Sequence, residues 1–522
     1  MNAKKITDKV SKINCTKTLL TLGYFSLAVS CSSTRTTTKP NIIFIMSDDH
    51  AYQAISAYSN ELIQTPNIDR LARNGVMFQN AFVTNSISGP SRAVILTGKY
   101  SHINGFRDNG GRFDGEQQTL PKILRKNGYA TALVGKWHLG TEPTGFDYWD
   151  ILPGQGHYYN PDFIKMGKDT VYNGYVTDIT TDLAIDWMKK NNSKPFFVML
   201  HNKAPHRNWM PPLSYLNEFN DVTFPLPETF YDDYSGRLAL QRQRITVGGQ
   251  LSVTYDSKVP CDTCIEDPVN NWAPREWERE YGRLSPEGKA VWEKMMKSEY
   301  EEFANIKDKD ERVRWQYQRY LEDYLRCIKS VDDNIGRVLD FLKESGLDKN
   351  TIVVYTSDQG FYLGEHGLYD KRFMYEESFR TPLIIYSPLT RNHGQKNSDF
   401  VMNLDIAPTI LDFAGIEIPR DMQGTSMKPL VYGESVLNWR TELYYHYYEK
   451  SFGLTAHYGI RTDRYKLIHF YDPIDSWELY DLQNDVNEMN NLYNDPGLQN
   501  VVTDLKTKLE NLQKKYKDDL IE

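Results

Sequence analysis

The sequence predicts an α/β fold in which a large sheet is flanked by helices and followed by a smaller C-terminal α+β subdomain. Short apolar, β-branched runs alternate with stretches of helical periodicity, which is typical of a largely parallel sheet covered on both faces. After Pro388 the pattern changes to aromatic-rich segments that are typical of antiparallel strands. The chain has 522 residues, and this length favours one large domain plus a smaller one.

Four strand candidates end in polar residues. They are "PNIIFIM" (40–46, followed by "SDDH"), "TALVGKWH" (131–138), "PFFVMLHNKAPH" (195–206) and "NTIVVYTSDQG" (350–360). Helical stretches separate them, and in "CIKSVDDNIGRVLDFLKESG" (327–346) one apolar face is predicted. Its members are Ile328, Val331, Ile335, Val338 and Leu342. Because ligands of such sheets bind at the carboxyl ends of the strands, we expect the polar residues to converge there.

The chain divides into an export segment, a linker and two folded parts. Lysines and the apolar run "TLLTLGYFSLAVS" predict a signal over residues 1–31, too short for a comfortable membrane span. "LAVSC" resembles a lipoprotein box, so Cys31 is either lipidated or lies near a simple cleavage site. We expect a polar tether (32–39), a main domain (40–390) with an insertion (216–320), and a C-terminal subdomain (391–522). The expected location is the periplasm or outer membrane of a Gram-negative bacterium, with membrane contact only through that lipid.

Net charge and cysteine spacing argue against a nucleic-acid binder and against a four-cysteine zinc site. The net charge of −8 argues against a nucleic-acid binder, although an acidic protein can carry a locally basic site for an anion. Cys15 and Cys31 belong to the export segment, and Cys327 fits a buried helical position. Cys261 and Cys264 form "PCDTC", but no second pair completes a zinc site, so a local disulfide is expected.

Two pairs of residues with side-chain oxygens predict a metal site. Asp48-Asp49 and Asp358-Gln359 each follow a predicted strand. Three carboxylates and an amide oxygen suit a hard cation such as calcium or magnesium. An isolated acidic pair is usually a turn or cap, but two pairs at two strand ends favour the metal. Gln359 adds no charge, so such an ion would depend on a further anionic ligand, such as the substrate.

Two histidines and two lysines are candidates for chemistry at an anion. His138 and His206 follow predicted strands, and Lys136 lies beside the first of them. Together they indicate acid–base catalysis around an anion, with Lys371 as another cation. The alternatives are structural histidines and solvated surface lysines.

The stretch "SISGPSRAVILTGKY" (86–100) has an ordinary structural interpretation. Pro90 would lie in a turn, Ser91 would cap a helix that begins near Arg92, and residues 93–96 would form its buried face.

The same stretch resembles the signature of the type I sulfatases, in which Cys or Ser is followed by x-Pro-Ser-Arg and then Thr-Gly. "SDDH", "GKWHLG", "KAPH" and "SDQGFYLGEHGLYDK" stand in that family's order, so the resemblance covers about residues 40–388. It implies an alkaline-phosphatase-like mixed sheet. It also implies that Ser88 is oxidised to formylglycine before export by an iron–sulfur radical enzyme of the serine type, which reads Pro90 to Arg92.

The resemblance implies a role for each motif residue. The implied calcium ligands are Asp48, Asp49, residue 88, Asp358 and Gln359, the last in place of the commoner asparagine. Arg92, Lys136 and Lys371 would neutralise charge on the sulfate and the aldehyde hydrate. His206 would protonate the leaving alcohol, and His138 would assist release of sulfate. His206 and Lys371 would also contact the substrate. His457 either joins them from the C-terminal subdomain or is a strand-edge residue.

The substrate follows from weaker similarity. "GFDYWDILPGQGHYYNP" and "HNKAPHRNWMPP" resemble the N-acetylglucosamine-6-sulfatase-like branch. This implies a 6-O-sulfated N-acetylglucosamine or glucosamine of glycosaminoglycans or mucin. The alternatives are another sulfate position or a galactose-type glycan, a phosphoester or phosphonate hydrolase of the same superfamily, and a non-catalytic lipoprotein that binds sulfated glycans.

Overall fold

A computed structural model describes residues 39–260, 270–391 and 393–518. The predicted signal, nearly all of the tether and the predicted Cys261–Cys264 disulfide lie outside these ranges. The described residues from Lys39 onwards form one compact unit. Among the helices described, none is both long and apolar enough to cross a membrane.

The described residues fold into strands and α-helices with the following bounds. The strands are β1 Asn41–Ser47, β2 Val76–Phe78, β3 Ala81–Phe82, β4 Ala130–Lys136, β5 Tyr148–Leu152, β6 Asp162–Lys165, β7 Lys168–Val171, β8 Phe196–His201, β9 Thr351–Ser357, β10 Tyr362–Leu363, β11 Tyr369–Asp370, β12 Leu383–Tyr386, β13 Gln395–Asn397, β14 Val401–Met402, β15 Glu442–Tyr447, β16 Ala456–Thr462, β17 Tyr465–Asp472 and β18 Ser476–Asp481. The α-helices are α1 Pro66–Asn74, α2 Ser88–Thr97, α3 Ser101–Asn104, α4 Leu120–Lys126, α5 Val176–Lys190, α6 Leu238–Arg242, α7 Ala273–Tyr281, α8 Pro286–Asn305, α9 Lys309–Glu344, α10 Glu376–Phe379, α11 Ile406–Phe413, α12 Lys428–Val431 and α13 Gln499–Tyr516.

The large sheet has the strand order β13-β2-β12-β9-β1-β8-β4-β5-β6-β7. The central strands β9, β1, β8, β4 and β5 are parallel, and antiparallel neighbours flank them on both sides. In β1, Ile43 and Ile45 enter the core on one face, whereas Ile42 and Phe44 enter the core on the other. The four predicted strands are therefore confirmed, and as β9-β1-β8-β4 they are direct neighbours.

Helix α9 crosses the predicted end of the insertion. The apolar face predicted for residues 327–346 is buried, and Cys327 is fully buried with it. The helix begins much earlier, at Lys309, where the Asp308 side chain accepts a hydrogen bond from Glu311 N and caps it. The predicted boundary at residue 320 therefore lies inside one continuous helix.

The C-terminal subdomain is an antiparallel sheet, β15-β16-β17-β18, with α13 packed against it. The apolar face predicted for α13 is buried, including Val502 and Leu509. However, β13 pairs with β2 of the large sheet, and α11 packs on α2. The layer of the large sheet therefore continues beyond the predicted boundary between residues 390 and 391.

Candidate active site

The carboxyl ends of the central strands bring the predicted acidic residues together. Asp48 and Asp49 follow β1, and Asp358 follows the adjacent β9. Asp49 N donates a hydrogen bond to Asp358 Oδ1 at 3.0 Å, and all three carboxyl groups are buried. Asp49 has a φ of 65°, which turns the chain sharply at the strand end.

Helix α2 points its first residue at this cluster. Ser88 Oγ donates to Asp48 Oδ1 at 3.2 Å. The helix begins at Ser88 rather than near Arg92, so the expectation that Ser91 is its cap is wrong. Ser91 lies in the first turn, where its hydroxyl donates to the Asp358 carbonyl. A Cβ at Gly89 would lie 2.6 Å from the Phe106 ring, so this position has room only for glycine.

Each carboxylate is paired with a buried cation. Arg92 Nη2 lies 3.0 Å from Asp358 Oδ2. Lys371 Nζ donates to both oxygens of Asp49 at 2.6 Å. Lys136 donates to Asp48. Both lysines are buried, so the alternative that they are solvated surface charges is wrong.

Burial and the neighbouring cations shift the pKa values of these carboxyl groups in opposite directions, and the outcome differs between Asp49 and Asp358. Burial raises the pKa of Asp49 to about 7, although Lys371 pulls it down. For Asp358, burial acts in the same direction, but Arg92 and Lys136 overcome it and hold its pKa below the usual value.

The oxygen donors fit a hard divalent cation. The Gln359 amide nitrogen donates to Asp358 Oδ1 at 2.9 Å, and its Oε1 is buried without a hydrogen-bond partner. Half a turn of this amide exchanges oxygen and nitrogen and directs the oxygen to the carboxylates. Ligand atoms of Asp48, Asp49 and His206 lie within 4.8 Å of one another. A set dominated by oxygen suits calcium or magnesium better than zinc.

The two predicted histidines lie at the rim of the cluster. His206 Nδ1 donates to Arg207 O at 2.7 Å, and Nε2 lies 3.7 Å from Asp49 Oδ2. Burial, together with Lys136, lowers the pKa of His206 well below its usual value. Burial and Lys136 do the same to His138. Both rings are only partly buried, so each offers an edge to a ligand.

His457 does not reach this cluster. Its side chain is fully buried in β16, an interior strand of the C-terminal sheet. It packs on Tyr445, Tyr447 and Phe470, and its Nδ1 bonds to Thr455 O. This packing contradicts the expected contact with substrate, because a fully buried ring offers a sugar no surface. The strand-edge alternative is wrong as well, since β16 has neighbours on both sides.

Two polar residues at the site were missed. Lys203 follows β8 and is buried 4.7 Å from the centre of the Tyr158 ring. Gln155 follows β5, accepts a hydrogen bond from Lys136, and donates to His138 Nε2 at 3.2 Å. Both residues lie just after a strand of the large sheet, and this position could have identified them as site candidates.

A cluster of cations that attracts an anion, next to acid–base groups, is what a hydrolase of anionic esters requires. The sulfatase family profile matches residues 40–416, and a profile described as "N-sulphoglucosamine sulphohydrolase, C-terminal" matches residues 364–515. The chain belongs to the sulfatase family, and it is a hydrolase of sulfate esters.

Relatives of this family cover nearly the whole chain. The N-acetylglucosamine-6-O-sulfatase of Bacteroides thetaiotaomicron is 47% identical over 98% of this chain and 92% of its own length. The human N-acetylglucosamine-6-sulfatase is 27% identical over 82% of this chain and 69% of its own. A solved structure in complex with its substrate D-glucosamine-2-N,6-O-disulfate has 47% identity and a TM-score of 0.88, covering 92% of this chain and 99% of that one. The alkaline-phosphatase-like fold class is thereby confirmed.

Proposed function

We propose that this sulfatase removes the 6-O-sulfate of glucosamine or N-acetylglucosamine at the non-reducing end of glycosaminoglycan or mucin chains. The observation that carries the proposal is the position of Ser88, whose hydroxyl lies 3.2 Å from Asp48 Oδ1 inside a ring of buried cations. The substrate class is supported by the activity for which the 47%-identical relative is named and by the sugar bound in the similar structure.

Ser88 would act as formylglycine, formed before export by a serine-type radical enzyme. A serine hydroxyl is a weak nucleophile, and a hydrated aldehyde supplies two hydroxyls on one carbon, one to attack and one to expel sulfate. Asp48, Asp49, residue 88, Asp358 and Gln359 would hold calcium. When bound, calcium supplies Lewis-acid stabilisation of negative charge at this edge of the sheet. Delivery would use the N-terminal signal, with the mature protein periplasmic or anchored through Cys31.

Each charged or titratable side chain at the site would then have its own role in the reaction. Arg92, Lys136 and Lys371 balance the charge of the sulfate, and because they are buried their attraction is stronger than in water. In its charged form, which the bound sulfate anion would favour, His206 donates a proton to the departing sugar oxygen from Nε2, while Nδ1 donates to Arg207 O. His138, whose Nε2 accepts from Gln155, acts as the base that helps expel sulfate.

Calcium should stabilise protein that has been stripped of metal by a chelator. Ligand binding to the folded state alone stabilises it by about 2.7 kcal/mol when free calcium is 100 times the Kd. Calorimetric titration should give one site, and the melting temperature should rise with calcium. Asp358→Asn should abolish both effects. Asp332→Asn, which alters a buried carboxyl bonded to Asn67 and Ile68 elsewhere, should leave the binding in place. A fully active preparation that contains no metal by elemental analysis would rule calcium out.

The substrate proposal predicts a sharp preference within a panel of sugars. The insertion reaches the site through Arg207, and the C-terminal subdomain reaches it through Glu449, which bonds to Arg372 at 2.8 Å. If these two parts enclose the sugar, a terminal residue fits better than an internal one, whose chain would have to pass between them. Monosaccharides sulfated singly at O2, O3, O4 or O6, on glucosamine, galactose and galactosamine, should show the highest kcat/KM on 6-O-sulfated glucosamines. Turnover only on a galactose-type or O4-sulfated sugar would refute this substrate while leaving the sulfatase activity intact.

A further inference from the structure

The imidazole of His206 is oriented by one backbone carbonyl. His206 Nδ1 donates to Arg207 O at 2.7 Å, and this bond directs Nε2 towards Asp49. A hydrogen bond from one ring nitrogen to a carbonyl fixes the direction of the other nitrogen, which also carries a proton when the imidazole is charged. The position of the Arg207 peptide therefore decides where the proton donor points.

The Arg207 side chain fixes that peptide to the insertion. Its guanidinium makes a two-point contact with Asp256, with Nε 2.6 Å from Oδ1 and Nη2 bonded to Oδ2. It also lies 5.2 Å from the centre of the Trp272 ring and 5.4 Å from that of Tyr369. Asp256 is fully buried and is itself held by Ser252 N at 2.7 Å. A two-point arginine–carboxylate pair beside aromatic rings has one preferred geometry.

Two further contacts secure the same loop. Lys203 Nζ donates to Arg207 O at 3.4 Å, so this carbonyl accepts from both Lys203 and His206. The Tyr158 hydroxyl donates to the carbonyl of His206. The loop is therefore fastened on the side of the large sheet by Tyr158 and Lys203, and on the side of the insertion by Asp256.

We infer that Arg207 is a positioning residue for His206, and that the insertion supports proton donation to the leaving sugar through the Arg207–Asp256 pair. The inference rests on the proposed role of His206. The insertion would then orient the proton donor, in addition to lying beside the bound sugar. Misplacing a catalytic group by about 1 Å can cost about 100-fold in rate, so loss of this pair should be visible in kcat.

The test uses variants that do not strand a buried charge. Removing Arg207 alone leaves Asp256 uncompensated, which is strongly destabilising. We would therefore combine Arg207→Met with Asp256→Asn, and study Arg207→Lys separately, since lysine keeps the charge but not the two-point geometry. Arg283→Met is the matched control, because Arg283 pairs with Asp162 and, like Arg207, lies at the insertion with a similar exposure of 20% against 22%.

The readout is the dependence of rate on the leaving group. For the double variant, kcat on a glucosamine 6-sulfate should fall about 10- to 100-fold with little change in KM, while kcat on 4-nitrophenyl sulfate falls much less. Arg207→Lys should recover part of the loss, and Arg283→Met should affect both substrates alike. Equal losses on both substrates in the double variant, or a rise in KM alone, would overturn the inference. If His206→Ala itself shows no dependence on the leaving group, the proposed role of His206 fails instead.

Discussion

Ser88→Ala should abolish turnover of sulfate esters, with kcat reduced by at least about 10⁴-fold, as expected when a catalytic nucleophile is removed. Alanine cannot be oxidised to formylglycine and leaves no oxygen next to Asp48, where Ser88 Oγ now lies at 3.2 Å. Because the hydroxyl makes one long hydrogen bond, its loss should cost no more than about 1 kcal/mol, and the melting temperature should change little. Steady-state kinetics on a sugar sulfate and on 4-nitrophenyl sulfate, with thermal denaturation alongside, would check both statements.

Ser86→Ala is the matched control, because it removes the hydroxyl of a nearby buried serine that has no proposed catalytic role. Ser86 is as buried as Ser88, and its hydroxyl donates to Ser378 O at 3.0 Å. Its loss should cost stability on the scale of one hydrogen bond, about 1 kcal/mol, without removing activity. Ser88→Cys should be active in hosts that modify only cysteine. A mass spectrum that shows unmodified serine at position 88 in fully active native enzyme would contradict the formylglycine proposal.

The strand ends of this fold were predictable from the sequence. Apolar runs that stop at Asp48, Lys136 or Asp358 report burial on both faces of a sheet, and parallel strands place their ends on one edge. Contacts such as Arg92 with Asp358, 266 positions apart in the chain, follow from that topology. Hydrophobic periodicity does not indicate the role of a residue at a strand end. The order of the sulfatase motifs does, because it implies a role for each motif residue.

The features that could not be predicted from the sequence depend on tertiary packing. His457 lies in β16, and nothing in the local sequence indicates whether its side chain faces the site or the core of its own sheet. A lysine after a strand is usually solvated, whereas Lys203 is enclosed by Tyr158 and the Arg207 carbonyl, and no local pattern indicates this burial. The start of α2 at Ser88 could not be read from capping preferences, because its N-cap, Ile87, makes no side-chain capping bond.

His206→Ala should reduce turnover of glucosamine 6-sulfate far more than turnover of 4-nitrophenyl sulfate. A sugar alkoxide is a poor leaving group that needs a proton as the S–O bond breaks, whereas nitrophenolate leaves readily without one. General-acid assistance is typically worth about 10²–10⁴-fold, and that factor should separate the two substrates. The measurement is kcat/KM for both esters, and for aryl sulfates of intermediate leaving-group pKa between them.

The slope of log kcat/KM against leaving-group pKa distinguishes proton donation by His206 from binding of sulfate alone. If His206 donates the proton, log kcat/KM should depend more steeply on the leaving-group pKa in His206→Ala than in the parent enzyme. His102→Ala provides a matched control, since this imidazole bonds to Tyr516 O and packs on Tyr100 at the C-terminal helix, outside the strand-end cluster. It should leave the slope unchanged even if it lowers stability. Parallel lines for His206→Ala and the parent would mean that His206 only binds sulfate, because loss of a binding contact to sulfate slows every ester alike whatever alcohol departs.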